Sequence, residues 1–245
     1  MGLHLCYDLS LPGETSEVEV ARLLAHLYER VARDGSISIT PLLSLSLDGV
    51  LAERPPGWTN LEWFFRVWAS VTLQTRDGQS VYGSAQRQRL GALGFAVHPG
   101  RGSEAATFGF VRPQLTRPAP DSEVPEHSSD WFWAACCKTQ YASIVSDEHL
   151  IRCHLLLVDL LEECARIGIR VAVRDETGYW ETRSTEHLIS EVGKMNRIVA
   201  AFAGRFHDEM PPGLRAEGAI FEHPDFERLE SDGDREGPGT GATND

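Results

Sequence analysis

The stretch of residues 146–173, SDEHLIRCHLLLVDLLEECARIGIRVAV, predicts a long helix that leads directly into a strand. Apolar residues recur at helical spacing from Leu150 to Cys164, and Ser146 stands before two acidic residues, as at a capped helix N-terminus. Gly168 marks the end of the helix. The alternation over residues 169–173 is typical of a strand. A buried helix next to a strand favours a sheet with helices packed on one face.

Two further amphipathic helices are predicted on either side of this unit. The first covers Glu17–Arg33, with Ser16 as its N-cap. The last begins after Ser184 or Thr185 and ends at the proline pair 211–212. Its apolar residues have three-four spacing, which predicts a buried stripe made of Leu188, Val192, Met195, Val199, Phe202 and Phe206.

The other segments have the character of strands joined by turns. Alternating, β-branched or aromatic residues predict strands over 37–47, 64–74, 92–98, 106–112 and 131–141. Asp77-Gly78 suits a hairpin turn, after which residues 80–90 form either the return strand or a short helix. Residues 174–183 are expected to form a second hairpin. This order of elements predicts an α+β fold with a mainly antiparallel sheet and three principal helices.

The chain is expected to form a single α+β domain over residues 1–210. An internal boundary, if there is one, falls in the polar, proline-rich loop 113–129. Residues 211–245 contain nine acidic residues against three arginines, and glycine and small polar residues dominate after Leu229. This composition predicts a flexible, disordered acidic tail.

The overall charge and composition exclude several classes of protein. Hydrophobic residues make up 42% of the chain, which excludes a fully disordered protein. The formal net charge of -13 argues against nucleic-acid binding and against docking on an anionic membrane. A basic protein is the partner that such a surface would attract. The N-terminus lacks the features of a signal peptide and no stretch is apolar enough to span a bilayer, so we expect a cytoplasmic protein.

The five cysteines include no CxxC motif. Adjacent Cys136 and Cys137 point to opposite faces of a strand, so the simplest interpretation is that the cysteines are reduced and packed. His149 and Cys153 lie four residues apart on one helical face, which could place two metal ligands side by side. Because spacing identifies no third ligand, we predict no metal site.

A glycine-rich turn, His98–Glu104, offers one possible phosphate site. Such a turn exposes backbone amides, and it faintly resembles the pyrophosphate loop of acetyl-coenzyme-A-dependent acyltransferases. Both interpretations require a helix directly after the turn, whereas residues 107–111 are typical of a strand. A plain turn is therefore favoured, and we expect no cofactor.

The segment Arg174–Arg183 concentrates charge and aromatic groups. Its three carboxylates could perform acid-base chemistry or hold a divalent cation, and an aromatic flanked by arginine is typical of an interface anchor. The plain alternative is a solvated hairpin with cross-strand ion pairs and an inward-facing Trp180.

Two segments of the C-terminal third carry a resemblance to known sequences. The first is KTQYAS, in which Lys138-Thr139-Gln140-Tyr141 carries the resemblance. The second is DETGYWETR, in which Asp175-Glu176 and Tyr179-Trp180-Glu181 carry it. Together with the helices around them they resemble a family of bacterial proteins of unknown function. The resemblance implies a cytoplasmic bacterial protein and assigns no activity.

The leading functional hypothesis is a non-catalytic protein that binds another protein, of an immunity or scaffold type, because no convergent catalytic set emerges. The predicted binding residues are the polar and aromatic groups near the second and third helices: Lys138, Gln140, Tyr141, Asp175, Glu176, Tyr179, Trp180, Glu181 and Arg183. The alternative hypothesis is a small hydrolase or transferase. Its pocket would be lined by Lys138, Gln140, Tyr141, His154, Asp175 and Glu176.

Overall fold

The computed structural model describes residues 2–45, 70–74, 80–84, 90–113, 131–211 and 218–236. Its strands are β1 (Leu5–Leu11), β2 (Ser38–Ile39), β3 (Leu43–Leu45), β4 (Ser70–Gln74), β5 (Ser80–Ser84), β6 (Leu90–His98), β7 (Ala106–Pro113), β8 (Trp131–Cys137) and β9 (Arg170–Asp175). Its α-helices are α1 (Glu17–Ala32), α2 (Asp147–Arg166), α3 (Tyr179–Thr182), α4 (Thr185–Asp208) and α5 (Phe226–Glu236). Two 3-10 turns cover Gln140–Ile144 and Ala219–Glu222.

Seven strands form one antiparallel sheet in the order β2-β6-β7-β8-β1-β9, with β3 also paired to β6. Strand β1 lies between β8 and β9, so Leu5 is opposite both Cys137 and Asp175. Strands β4 and β5 pair separately with each other. The predicted α+β class and antiparallel sheet are confirmed.

One face of the sheet carries the core. Leu5, Tyr7, Leu9 and Leu11 alternate along β1 and are buried, as period-two geometry requires. Tyr7 stacks on Phe108, and Phe108 stacks on Phe95. Large apolar residues of α1 and α2, with those of the inner strand face, complete the same cluster. Each fully buried side chain of this size stabilises the fold by about 1.5–3 kcal/mol.

The three principal helices begin at the predicted serines. The hydroxyl oxygens of Ser16, Ser146 and Ser184 each accept a hydrogen bond from the backbone N–H three residues further along the chain. This bond satisfies one free donor in the first turn of each helix. After α2, Gly168 has a φ of +93°, a left-handed conformation that favours glycine. None of the helices in the described segments is long and apolar enough to cross a membrane.

Two predicted strands differ in detail from the structure. The strand predicted over 37–47 is split into β2 and β3, because Thr40 between them binds the backbone of Ala96 through its N–H and its hydroxyl. The strand predicted over 131–141 ends at Cys137, and residues 140–144 form a 3-10 turn. Parts of several predicted elements lie outside the described residues. These are 46–47, 64–69, the turn 76–79, 85–89 and the loop positions 114–129.

The second predicted hairpin is wrong, because residues 179–182 form the short helix α3 and not a return strand. Asp175 is responsible. Its carboxylate accepts from the backbone N–H of Thr177 at 2.9 Å and of Trp180 at 2.9 Å, so the chain curls around that side chain. Gly178, with a φ of +71°, permits the tight turn.

The acidic tail also differs from the prediction. Residues 218–236 form a 3-10 turn and helix α5, which packs along α4. Ile220 and Leu229 are buried against Val199 and Ala200 of α4. These apolar residues are spaced among acidic residues, so the average composition of the segment hides its amphipathic pattern. Residues 212–217 and 237–245 lie outside the described residues.

Candidate functional site

The polar residues predicted to line a pocket belong to two buried hydrogen-bond networks. In the first, His154 contacts Thr139 Oγ1 through Nδ1 at 3.0 Å and Asp175 Oδ2 through Nε2 at 3.2 Å. The side chains of His154 and Asp175 are completely buried. An ionised carboxylate only accepts hydrogen bonds, so His154 Nε2 is the donor to Asp175, and the other ring nitrogen is bonded to the Thr139 hydroxyl.

Asp175 remains ionised in this environment. Burial on its own would raise the pKa of Asp175, but hydrogen bonds from His154 and Thr177 outweigh that effect and lower the pKa to about 2. The two carboxylate oxygens also accept from the backbone N–H of Trp180 and the hydroxyl of Thr177. The Thr–His–Asp set resembles a catalytic triad in composition, yet its polar side-chain atoms hold the segment after β8, α2, β9 and α3 together.

The second network is centred on Gln140, which is 1% exposed. Its side-chain oxygen accepts from Leu3 N at 2.8 Å, and its Nε2 donates to Asn196 Oδ1 at 2.8 Å. Asn196 Nδ2 donates to Ser143 Oγ, and Ser143 Oγ donates to Gln140 O. Gln140 therefore connects the N-terminus, the first 3-10 turn and α4.

The remaining predicted binding residues do not form one surface. Glu176 is exposed and pairs with His4 at 3.2 Å. Trp180 is half-buried beneath the guanidinium of Arg183, whose carbon lies 4.6 Å from the indole centroid. Glu181 is exposed, while Tyr179 is buried against the His154 ring. Arg183 is held by Glu162 of α2 at 2.7 Å.

Lys138 and Tyr141 lie in a different environment from Trp180. Lys138 is partly buried and pairs with Glu104 at 3.8 Å. Tyr141, together with Met195 and Phe221, packs against the buried cluster that α4 forms with Ile220 and Leu229. Burial, reinforced by the nearby charge of Glu104, raises the pKa of the Tyr141 phenol above its ordinary value.

His149 and Cys153 are neighbours on α2, as their spacing predicted, with 3.5 Å between Nε2 and Sγ. His149 Nε2 donates to Arg101 O, and its Nδ1 accepts from Arg152. A protonated Nε2 cannot take the thiol proton, and burial raises the pKa of Cys153. Within the described segments, no three His, Cys, Asp or Glu side chains are grouped as metal ligands.

The glycine-rich turn 98–104 is a plain connection between β6 and β7, as the sequence favoured. Gly102 has a φ of +82°, and a Cβ at this position would collide with the backbone of Tyr141. Packing of the turn on the 3-10 turn at 140–144 therefore accounts for the glycine.

Sequence reasoning missed an exposed apolar ridge on α4. This ridge consists of Ile198, Phe202 and Phe206, which lie in one row of the helix at four-residue spacing. Their side chains are 52%, 57% and 54% exposed. The rings of Phe202 and Phe206 are stacked, with centroids 6.4 Å apart. The prediction that both phenylalanines are buried is therefore wrong.

Small residues explain why the buried face of α4 is rotated away from the phenylalanines. Ala200, Ala201 and Gly204 are buried, and helix α5 packs on this face of α4 through Leu229, Glu230 and Gly233. A Cβ on Gly204 would collide with Glu230, and one on Gly233 would collide with the Arg197 backbone. The helix packs by its smallest residues because they allow the closest approach. This run of small residues is the sequence signal that could have revealed the ridge.

The structure also joins Cys6 to Cys136 in a disulfide, which corrects the prediction that the cysteines are reduced. The two residues are directly opposite each other in the β1–β8 register. Cys137 points the other way and is buried, as expected from strand alternation. Cys137, Cys153 and Cys164 are free and buried, so the prediction of reduced, packed cysteines holds for those three.

Comparison with family models, with curated proteins and with solved structures finds no match for this chain. The resemblance of the C-terminal third to an uncharacterised bacterial family therefore stays a prediction.

Proposed function

We propose that the protein acts by binding another protein through the apolar ridge of α4. The observation that carries the proposal is the exposure of Ile198, Phe202 and Phe206, each more than half exposed in a continuous row. Burying a large apolar side chain is worth about 1.5–3 kcal/mol. Contiguous exposed apolar groups on a folded surface are typical of protein contact sites.

The charges beside the ridge indicate the kind of partner. Arg205, next to Phe206, is paired with Asp234 of α5 at 2.7 Å. Helix α5 carries five acidic residues against two arginines. Its arginines form ion pairs with Asp225 and Asp232. A complementary partner is an amphipathic helix with an apolar stripe and basic residues along one edge, which agrees with the basic partner expected from net charge.

Several contacts favour this role over the hydrolase or transferase hypothesis. His154 and Asp175 are buried and use their polar atoms on Thr139, Thr177 and Trp180. The side chain of Gln140 is hydrogen-bonded to Asn196 and to the backbone of Leu3. A reactive site requires polar groups that converge on a cavity large enough for substrate, whereas these groups converge on one another. Binding at the ridge fits the scaffold or immunity type of role.

The ridge is tested with the double variant Phe202→Ser/Phe206→Ser. The probe is a synthetic amphipathic leucine- and lysine-rich helix, and its binding is measured by fluorescence anisotropy with the full chain. We expect the dissociation constant to rise at least about tenfold, because two large contacts are each worth more than 1 kcal/mol at an interface. Circular dichroism checks that the variant is folded.

Val18→Ser is the matched control, since Val18 is 80% exposed on α1, away from the ridge. Its affinity should equal that of the wild type. A second variant, Trp180→Ala/Arg183→Ala, removes the surface predicted from sequence. Loss of probe binding in that variant, with full binding retained by the ridge variant, would contradict the assignment to α4.

A further inference from the structure

The Cys6–Cys136 disulfide lies on the sheet face opposite the helices, where external thiols can reach it. Cys136 is exposed and Cys6 is half-buried. Asp8, Ala134 and Ala172 share this face and are exposed. An open depression of about 440 Å³ borders the disulfide. The bond joins two strands that already pair along their whole length, so the fold does not depend on it to bring β1 and β8 together.

The two sulfur atoms of the disulfide lie next to different strands of the sheet. Across the sheet, β7 lies beyond Cys136 on β8, and β9 lies beyond Cys6 on β1. Strand β7 pairs with β8 at Val111 and Phe132. Further along, a second depression of about 390 Å³ lies between the two strands and is lined by Glu104, Ala105, Thr107, Ala134, Ala135 and Cys136. A thiolate that attacks Cys136 in line with the disulfide approaches from this side.

A positively charged side chain, Arg174, lies on the far side of Cys6 from the second depression. Arg174 is opposite Cys6 in the β1–β9 register, and its Nη2 donates to Cys6 Sγ at 3.7 Å. A guanidinium beside sulfur stabilises the thiolate form. Across the sheet, the order is therefore the second depression, Cys136, Cys6 and Arg174. Exchange requires this order, because the entering thiolate, the attacked sulfur, the leaving sulfur and the stabilising cation then lie in a row.

We propose that Cys6–Cys136 is a thiol–disulfide exchange site that reacts with low-molecular-weight thiols. The external thiolate attacks Cys136 Sγ and forms a mixed disulfide, while the electron pair of the broken S–S bond leaves on Cys6 Sγ as a thiolate beside Arg174. A second thiol attacks the external sulfur of the mixed disulfide and releases Cys136. Two thiols are oxidised to one disulfide, and the protein disulfide is reduced to two thiols.

Other charged groups lie near the pair: Lys138 pairs with Glu104 toward the Cys136 end, and the Glu176 carboxylate interacts with Arg174 itself. His4 and Glu176 are bonded to each other beside the Cys6 end. Asp8 lies two residues along β1 on the same face, and Glu104 lines the second depression. Since these carboxylates do not stabilise a thiolate, Arg174 is the group whose removal should change the reactivity of Cys6.

The first experiment equilibrates the full-length native protein with reduced and oxidised glutathione at a series of ratios, followed by alkylation and mass analysis. We expect the disulfide to become reduced while circular dichroism stays native. The variant Cys6→Ser should accumulate glutathione on Cys136. A disulfide that stays intact at every ratio until the protein unfolds would overturn the proposal and leave a purely structural bond.

The second experiment isolates the role of Arg174. Reduction of Arg174→Gln by glutathione at pH 7 should be about threefold slower or more, because the leaving thiolate is less stable. Arg170→Gln is the control, since Arg170 is on the same strand and face but opposite Ser10. Its rate should match the wild type. Equal rates in all three proteins would contradict the role assigned to Arg174.

A third measurement separates leaving-group stability from access. In Cys136→Ser, alkylation of Cys6 by iodoacetamide is followed against pH, with and without Arg174→Gln. We expect the midpoint of the profile to move up by about one pH unit when the guanidinium is removed. An unchanged midpoint would show that Arg174 does not act on the Cys6 thiolate.

Discussion

At the scale of single residues, Asp175 organises the polar interior. Its carboxylate terminates β9, starts the turn into α3 and binds His154 of α2. The sequence marked Asp175 as functional because it stands in a charged, aromatic segment. The structure gives the same residue a positioning role, since its oxygens are occupied by groups of the chain itself.

We expect Asp175→Asn to lower the free energy of unfolding by about 3–5 kcal/mol at pH 7, because the amide introduces donors where His154, Thr177 and Trp180 already donate. Urea denaturation measures the loss. Glu176→Gln is the adjacent control, and its exposed pair with His4 should be worth less than about 1 kcal/mol. A similar loss in both variants would contradict the positioning role of Asp175.

The same variant has a defined pH dependence. The folded-state pKa of Asp175 is lowered, so its stabilising contribution is fully present above the unfolded pKa of about 4 and is lost as the pH falls toward 2. The difference in unfolding free energy between wild type and Asp175→Asn should therefore shrink below pH 4. A difference that stays constant down to pH 2 would contradict this assignment.

At the scale of elements, the pairing of α4 with α5 decides which face of α4 is left in water. Gly233 of α5 lies against the Arg197 backbone and Ala201, and Gly204 of α4 lies against Glu230. The close approach fixes the rotation of α4, which places Phe202 and Phe206 outside. Helical periodicity predicted one stripe that included both phenylalanines, whereas packing of α5 buries the neighbouring face with the small residues.

A glycine pair tests this packing. Gly233→Ala should destabilise the protein by about 1–3 kcal/mol and increase amide hydrogen exchange in α5, because the added Cβ collides with backbone. Gly193→Ala is the matched control within α4, where the nearest atom is 3.9 Å from the added Cβ. There the higher helix propensity of alanine should stabilise by about 0.5–1 kcal/mol. The same sign for both variants would contradict the packing of α5 on α4.

At the scale of the whole molecule, the N-terminal strand holds distant parts of the chain together. Strand β1 pairs with β8 and β9, and the Cys6–Cys136 bond links positions 130 residues apart. A cross-link that closes so long a loop acts mainly on the unfolded chain, whose conformational freedom it restricts. The native antiparallel pairing does not need the bond, because backbone hydrogen bonds already define the register.

We expect the double variant Cys6→Ser/Cys136→Ser to keep the native circular dichroism spectrum and to lose about 4 kcal/mol of unfolding free energy. Guanidinium denaturation of this variant and of the oxidised wild type measures the difference. The wild type reduced with dithiothreitol should match the variant. A loss below about 1 kcal/mol would indicate that the bond does not restrict the unfolded chain as expected.

Local patterns in the sequence determined the class of fold and the positions of the main helices. Ser16, Ser146 and Ser184 cap helices where expected, because capping depends on residues within one turn. The order of elements likewise predicted the antiparallel sheet, and strand alternation predicted the opposite orientations of Cys136 and Cys137. These features depend on spacing along a few neighbouring residues, which is visible in the sequence itself.

Only the tertiary structure decided the sites. It buried Gln140, Asp175 and Tyr179, exposed Phe202 and Phe206, and placed Cys6 opposite Cys136. Each of these outcomes depends on contact between segments far apart in the chain: α2 with β9, α5 with α4, and β1 with β8. Periodicity in the sequence shows which face of an element is apolar. The surroundings of each side chain, however, are set by whichever distant element packs against it.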